Sequence, residues 1–155
     1  MRTILLLVLF FIFYQNGISQ TKEIDSLHRK LLYAKNDTAK INLYNKIADK
    51  YKTTNIDSLK RYNDIAFKVS EEKNYDLGKA ISYINYANLA IIKGNYGLAK
   101  KQLLTAKNLL ENLKNTDAFA KNNLARCYAT FGVIYSEESN YAQAIDYYNL
   151  ALKLY

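Results

Sequence analysis

Proline is absent from this chain of 155 residues, glycine occurs five times, and cysteine and histidine once each. Missing proline and scarce glycine remove the commonest punctuation of β-hairpins and sandwiches, so composition favours helices. A lone cysteine, Cys127, leaves no partner for an internal disulfide. Free thiols usually pack as small hydrophobes, and Cys127 is expected to be buried. His28 is the only histidine, and there is no HExxH pair, cysteine pair or phosphate-cradling glycine loop. Glu71 with Glu72, and Glu137 with Glu138, sit at expected helix ends and read as solvated charge rather than as a general acid and base. No catalytic, cofactor-binding or metal-ligating residue is assigned, no cofactor is called for, and a non-enzymatic role is expected.

Half of the residues are apolar, enough for one domain of this length to bury a core. The opening stretch places Arg2 before an apolar run from Ile4 to Tyr14 and then the small or polar residues Gln15 to Ser19. That is the layout of a secretory signal, with Gly17 and Ser19 as the small residues before cleavage. The run is shorter than the roughly 20 apolar residues a membrane span needs, so export is preferred over an anchor. Loss of residues 1–19 lowers the formal net charge of +8 by only one. Its lysines are interleaved with acids instead of clustered, which together with export argues against nucleic acid as a partner.

Spacing carries the rest. In "YATFGVIY", Tyr128 is followed by Phe131, Gly132 and Tyr135, and downstream Ala144, Tyr148 and Ala151 step by four and three. This resembles the tetratricopeptide repeat, whose paired helices A and B carry such small and aromatic residues at fixed offsets. The resemblance makes Gly132 the point of close approach between helices, Tyr128, Phe131 and Tyr135 the apolar stripe, and Ala144 and Ala151 the small surfaces beneath it. A middle copy has Tyr83, Tyr86, Ala87 and Ala90, a turn at Gly94 to Tyr96, then Ala99, Leu103 and Ala106. A divergent first copy has Tyr44, Ile47, Ala48 and Tyr51, a turn about one residue shorter, then Leu59, Tyr62 and Ala66. The copies lie farther apart than the basic period of about 34, as in long-helix bacterial members of the family.

Ahead of the first copy, Ile24, Leu27, Leu31 and Ala34 mark one face of a covering helix, and Asp37 is a candidate N-cap. The expected architecture is all-α: a right-handed solenoid of seven helices over about 22–35, 38–53, 57–73, 76–93, 96–114, 117–137 and 141–155. Its expected divisions are a signal over 1–19, a capping helix within 20–37, and three hairpins at about 38–73, 76–114 and 117–155.

Helix A of the family lines a concave groove through an offset stripe. Carried across, the stripe is Asn42, Asn45, Asp49 and Lys52, then Ile81, Ile84, Asn88 and Ile91, then Arg126, Ala129, Val133 and Ser136. Asn42, Asn45, Asp49, Asn88 and Arg126 are the polar candidates for holding a peptide or protein segment, amides being able to pair with an extended main chain. The resemblance therefore implies an interaction module. An alternative is the extracytoplasmic input region of a bacterial membrane signalling protein, of which this chain would be a fragment. Leu150, Leu152, Leu154 and Tyr155 leave the last helix apolar, which points to self-association or a continuing array.

Overall fold

A computed structural model describes residues 22–114 and 117–154; the expected signal, 1–19, and the tail residue Tyr155 lie outside them. The described residues form seven helices and no strand, the class the composition predicts. They are α1 (22–32), α2 (Asp37–Tyr51), α3 (Ile56–Glu72), α4 (Asp76–Ile92), α5 (Tyr96–Glu111), α6 (Ala118–Glu137) and α7 (Tyr141–Leu152).

Five helix starts, those of α2, α3, α5, α6 and α7, are fixed by short amide or carboxylate side chains that accept from otherwise unpaired amides of the first turn. Asn36 caps α2 through the amide of Ala39 at 2.7 Å, Asn55 caps α3 through Ser58 at 2.8 Å, and Asn95 caps α5 through Leu98 at 3.0 Å. Asp117 and Asn140 do the same for α6 and α7. The expected cap Asp37 is instead the first residue of α2, where its carboxylate pairs with Lys73, the residue just past α3, at 2.8 Å and is held below its usual range by that bond.

Three turns share one geometry. Asn74, Gly94 and Ser139 each take a positive φ, and the next residue donates its amide across the turn to Ser70, Ala90 or Tyr135 at 2.8 to 2.9 Å. This left-handed closure ends a helix and restarts the chain within three residues. The α2–α3 turn, by contrast, runs from Lys52 to Asn55 without a positive φ, so it is longer than its counterparts and not shorter, as its spacing suggested.

Helices pack in sequence order as α2 with α3, α4 with α5 and α6 with α7, and these pairs meet through α3 with α4 and α5 with α6. The first helices of the pairs also meet directly, α2 with α4 and α4 with α6. Central α4 is accordingly the most buried, hiding Ile81, Ile84, Ala87 and Ala90 among others. Small residues on the second helices, Ala66, Ala99, Ala106, Ala144 and Ala151, are buried where those helices rest on their partners. Helix α1 lies across α2 and α3 through the Glu23–Lys50 ion pair and the His28 ring, 5.4 Å from that of Tyr62.

Candidate functional site

Between the ends of α2, α4 and α6 lies a recess of about 430 Å³. Lys52 comes from the end of α2, Asn88 and Ile91 from α4, and Arg126, Ala129 and Val133 from α6, with Tyr148 of α7 closing one side. Six of these seven belong to the stripe read from the sequence. The helical period places each set on one face, and the direct contacts of α2, α4 and α6 bring the three faces side by side.

The recess floor is polar and mostly engaged in hydrogen bonds and ion pairs. Arg126 donates through Nη2 to Asn85 Oδ1 at 2.6 Å and stands 3.7 Å from Asp49, which also takes Lys52 at 3.2 Å. Arg126 Nε is buried and has no partner among the described residues. The arrangement presents two cations held by one carboxylate beside an aliphatic wall in which Val133 is 39% exposed. Such a surface suits an apolar side chain flanked by main-chain or acidic oxygens.

Not all of the predicted stripe faces this space. Asn45, expected in the groove, is 1% exposed and sits between α2 and α4. It donates to Gly78 O at 3.1 Å and accepts from Ser82 Oγ at 2.9 Å, while Asn85 donates to the Asn45 carbonyl at 3.1 Å. Its amide is consumed in joining helices and cannot hold a ligand. Ile81 and Ile84 are likewise core residues, 3% and 0% exposed. Asn42 accepts from Tyr75 OH at 3.3 Å and borders a separate recess of about 180 Å³ with Ile81, Phe119 and Asn123. Of the five polar candidates, Asp49, Asn88 and Arg126 belong to the larger space or its floor and Asn42 to the smaller one, while Asn45 reaches only the edge of the smaller one, its amide spent on bonds between helices.

The aromatic signature is packed as follows. Phe131, Tyr135 and Tyr128 of α6 surround the ring of Tyr147, with centroids 4.8, 5.3 and 6.3 Å away. Burial and a bond to Glu111 push the Tyr128 phenol up to about 12. A Cβ on Gly132 would meet three ring atoms of Tyr148 at 2.6 to 2.9 Å, so glycine there is what seats that ring on α6. Tyr147 was not singled out by the repeat frame. Its signal was Tyr62, at the same position of α3, whose ring stacks on Tyr51 at 5.8 Å and on Tyr44 at 6.4 Å.

Cys127 is fully buried as expected, donates its thiol to Leu103 O at 3.4 Å, and is pushed up to about 12 by burial. Among the described residues no group of three or more His, Cys, Asp or Glu side chains could hold a metal ion, and no helix is long and apolar enough to cross a membrane. Comparison with known proteins gives no match: no family model, no curated protein and no solved structure is similar to the chain.

Proposed function

We propose that this chain is an exported, non-catalytic interaction module of the tetratricopeptide type, an α-solenoid that binds a peptide or protein segment in the recess formed by α2, α4 and α6. One observation carries the reading: six of the ten residues lining the recess, Lys52, Asn88, Ile91, Arg126, Ala129 and Val133, belong to the stripe that such repeats turn toward a ligand. The preferred occupant is an extended segment with one aliphatic or aromatic side chain beside Ile91 and Val133. Its main-chain carbonyl or a nearby carboxylate then meets Lys52 and the Arg126 guanidinium. Main-chain amides pair with Asn88.

A displayed library of random peptides, panned on the purified chain, tests this. Enriched peptides are expected to bind the Ile91→Glu, Val133→Glu double variant at least about tenfold more weakly, a loss of about 1.4 kcal/mol, with helicity unchanged. Peptides that bind the double variant as well as the parent would overturn the assignment of the recess. Release of residues 1–19 is checked separately by N-terminal sequencing of the secreted chain, for which Gln20 is the expected first residue.

A further inference from the structure

Helices α2, α4 and α6 repeat one order along the face they share. In α2, Lys46 borders the smaller recess, Asp49 follows, and Lys52 borders the larger. In α4 the order is Ile81, Asn85 and Ile91, and in α6 it is Phe119, Arg126 and Val133. The middle members are joined. Arg126 reaches Asn85 at 2.6 Å and stands 3.7 Å from Asp49, a polar bridge that crosses from α6 over α4 to α2. The two recesses are therefore neighbours on one face, one on each side of that bridge.

Spacing and charge say what spans them. Along each helix the recesses are about nine residues apart, which is about 13 Å at the rise of an α-helix. An extended chain covers that distance in about four residues, and its side chains i, i+2 and i+4 lie on one side. One segment can thus set side chain i in one recess and i+4 in the other, with i+2 over the bridge. Among the residues that line and bridge the recesses, Lys46, Lys52 and Arg126 stand against one carboxylate, that of Asp49. Lys46 is exposed and in no ion pair among the described residues. A carboxylate at i+2 complements this excess, and a cation there opposes it. The larger recess, about 430 Å³, takes an aromatic ring beside Ile91 and Val133. The smaller, about 180 Å³, takes an aliphatic side chain beside Ile81 and Phe119, the latter 43% exposed.

We propose that the two recesses are paired subsites for one extended segment that carries an aromatic residue, an acid and an aliphatic residue at i, i+2 and i+4, in either chain order. This pairing rests on the larger recess being a peptide site, and adds to it a second pocket, a spacing and a charge.

Fluorescence anisotropy with two fluorescein-labelled peptides tests it. Each carries tryptophan, aspartate and leucine at i, i+2 and i+4 in a glycine and serine background, one in each chain order, and the tighter binder is the probe. Moving leucine to i+3, or replacing aspartate by lysine, should each weaken the probe at least about tenfold. On the protein, Lys46→Glu with Phe119→Glu changes two exposed side chains, and a glutamate suits the first turn of α6. That double variant should also weaken the probe at least about tenfold with unchanged helicity, yet bind a peptide shortened to remove leucine as the parent does. Binding that Ile91→Glu with Val133→Glu removes, but that ignores both the leucine position and the Lys46, Phe119 variant, would overturn the pairing and leave the larger recess as a peptide site. Binding indifferent to all four substitutions would overturn both. Failure of either peptide to saturate by about 1 mM would overturn the pairing, the panned library then judging the larger recess alone.

Discussion

Helix α2 meets α4 through amides, whereas α6 meets α7 through rings. At the first contact Asn45, Ser82 and Asn85 exchange buried hydrogen bonds beside Gly78, and almost nothing there is accessible. At the second, Tyr147 sits among Phe131, Tyr135 and Tyr128, and Tyr148 lies over Gly132 with one side still open. A buried amide network tolerates only one register, since a slip leaves several groups unpaired at once. Ring stacking tolerates small shifts, because offset-stacked and edge-on arrangements are both favourable over centroid separations of about 4.5 to 7 Å. The α2–α4 contact therefore fixes geometry, and the α6–α7 contact supplies adaptable adhesion.

The two glycines separate these roles most sharply. A Cβ on Gly78 would meet Ser70 Oγ and Tyr75 Cδ1 at 2.5 Å and Ile41 Cγ2 at 2.7 Å, groups from three directions of which Ser70 and Ile41 are wholly buried. Gly78→Ala is expected to destabilise by about 3 kcal/mol, the upper part of the overpacking range. At Gly132 the obstacle is one ring that can swing toward solvent, and alanine gains about 1 kcal/mol of helix propensity. Gly132→Ala should therefore fall within about 0.5 kcal/mol of the parent, the strain and the propensity nearly cancelling. Urea unfolding of both variants checks the pair. Equal losses would show that α7 is held as rigidly as α4.

Asn45→Leu comes next in size. It strands Ser82 Oγ in the interior and removes the side-chain donor to the Gly78 carbonyl, while the Asn85 amide keeps its bond to the main-chain carbonyl of residue 45, and a loss of about 2 kcal/mol is expected from unsatisfied groups. If Asn45 acted as a ligand-binding residue, stability would hold and peptide binding would fall. The burial of Asn45 predicts the opposite split, to be read by unfolding and by titration with a recess-binding peptide.

That residue also marks where the sequence stops being legible. The helix count, most helix bounds, the burial of Cys127 and the contact of Gly132 with α7 follow from local period and spacing, which depend on residues a few positions apart. An offset stripe on helix A, however, has a lower edge that touches the neighbouring helix and an upper edge that touches solvent. Which edge Asn45 or Asn88 occupies depends on how closely α4 approaches α2, and Gly78, distant in sequence, sets that approach. Tyr147 escaped for a related reason: adjacent tyrosines at 147 and 148 point to different faces, and only the α3 ring at Tyr62 tells which one enters the hairpin.

Tyr147→Leu should cost about 2 kcal/mol, because leucine keeps much of the buried area but loses three ring contacts worth about 0.5 to 1.5 kcal/mol each at most. The same change at Tyr62 should cost comparably, since it too has two stacked neighbours and the His28 ring. A large loss at Tyr147 and none at Tyr62 would mean that the first hairpin is held by its buried aliphatic side chains, such as Ile47, Ala48, Leu59 and Ala66, without help from its rings.

The smallest effect concerns the thiol that lies between the two regions. Burial raises Cys127 from an ordinary value near 9 to about 12 in the folded chain. The folded state thus keeps a proton that the unfolded state releases, so the stability from the neutral buried thiol is complete below pH 9 and declines as pH rises toward 12. Between pH 9 and 10 the slope is expected to approach, at most, about 1.4 kcal/mol per pH unit. Cys127→Ala should flatten that slope while lowering stability at neutral pH through the cavity it leaves. Alkylation of Cys127 at pH 8 should proceed only as fast as α6 lifts from α5, and Tyr147→Leu should accelerate it more than Asn45→Leu, relative to their costs in global stability. Equal acceleration per kcal/mol would mean that the thiol is exposed only by global unfolding, so that the amide-joined and ring-joined ends open as one unit.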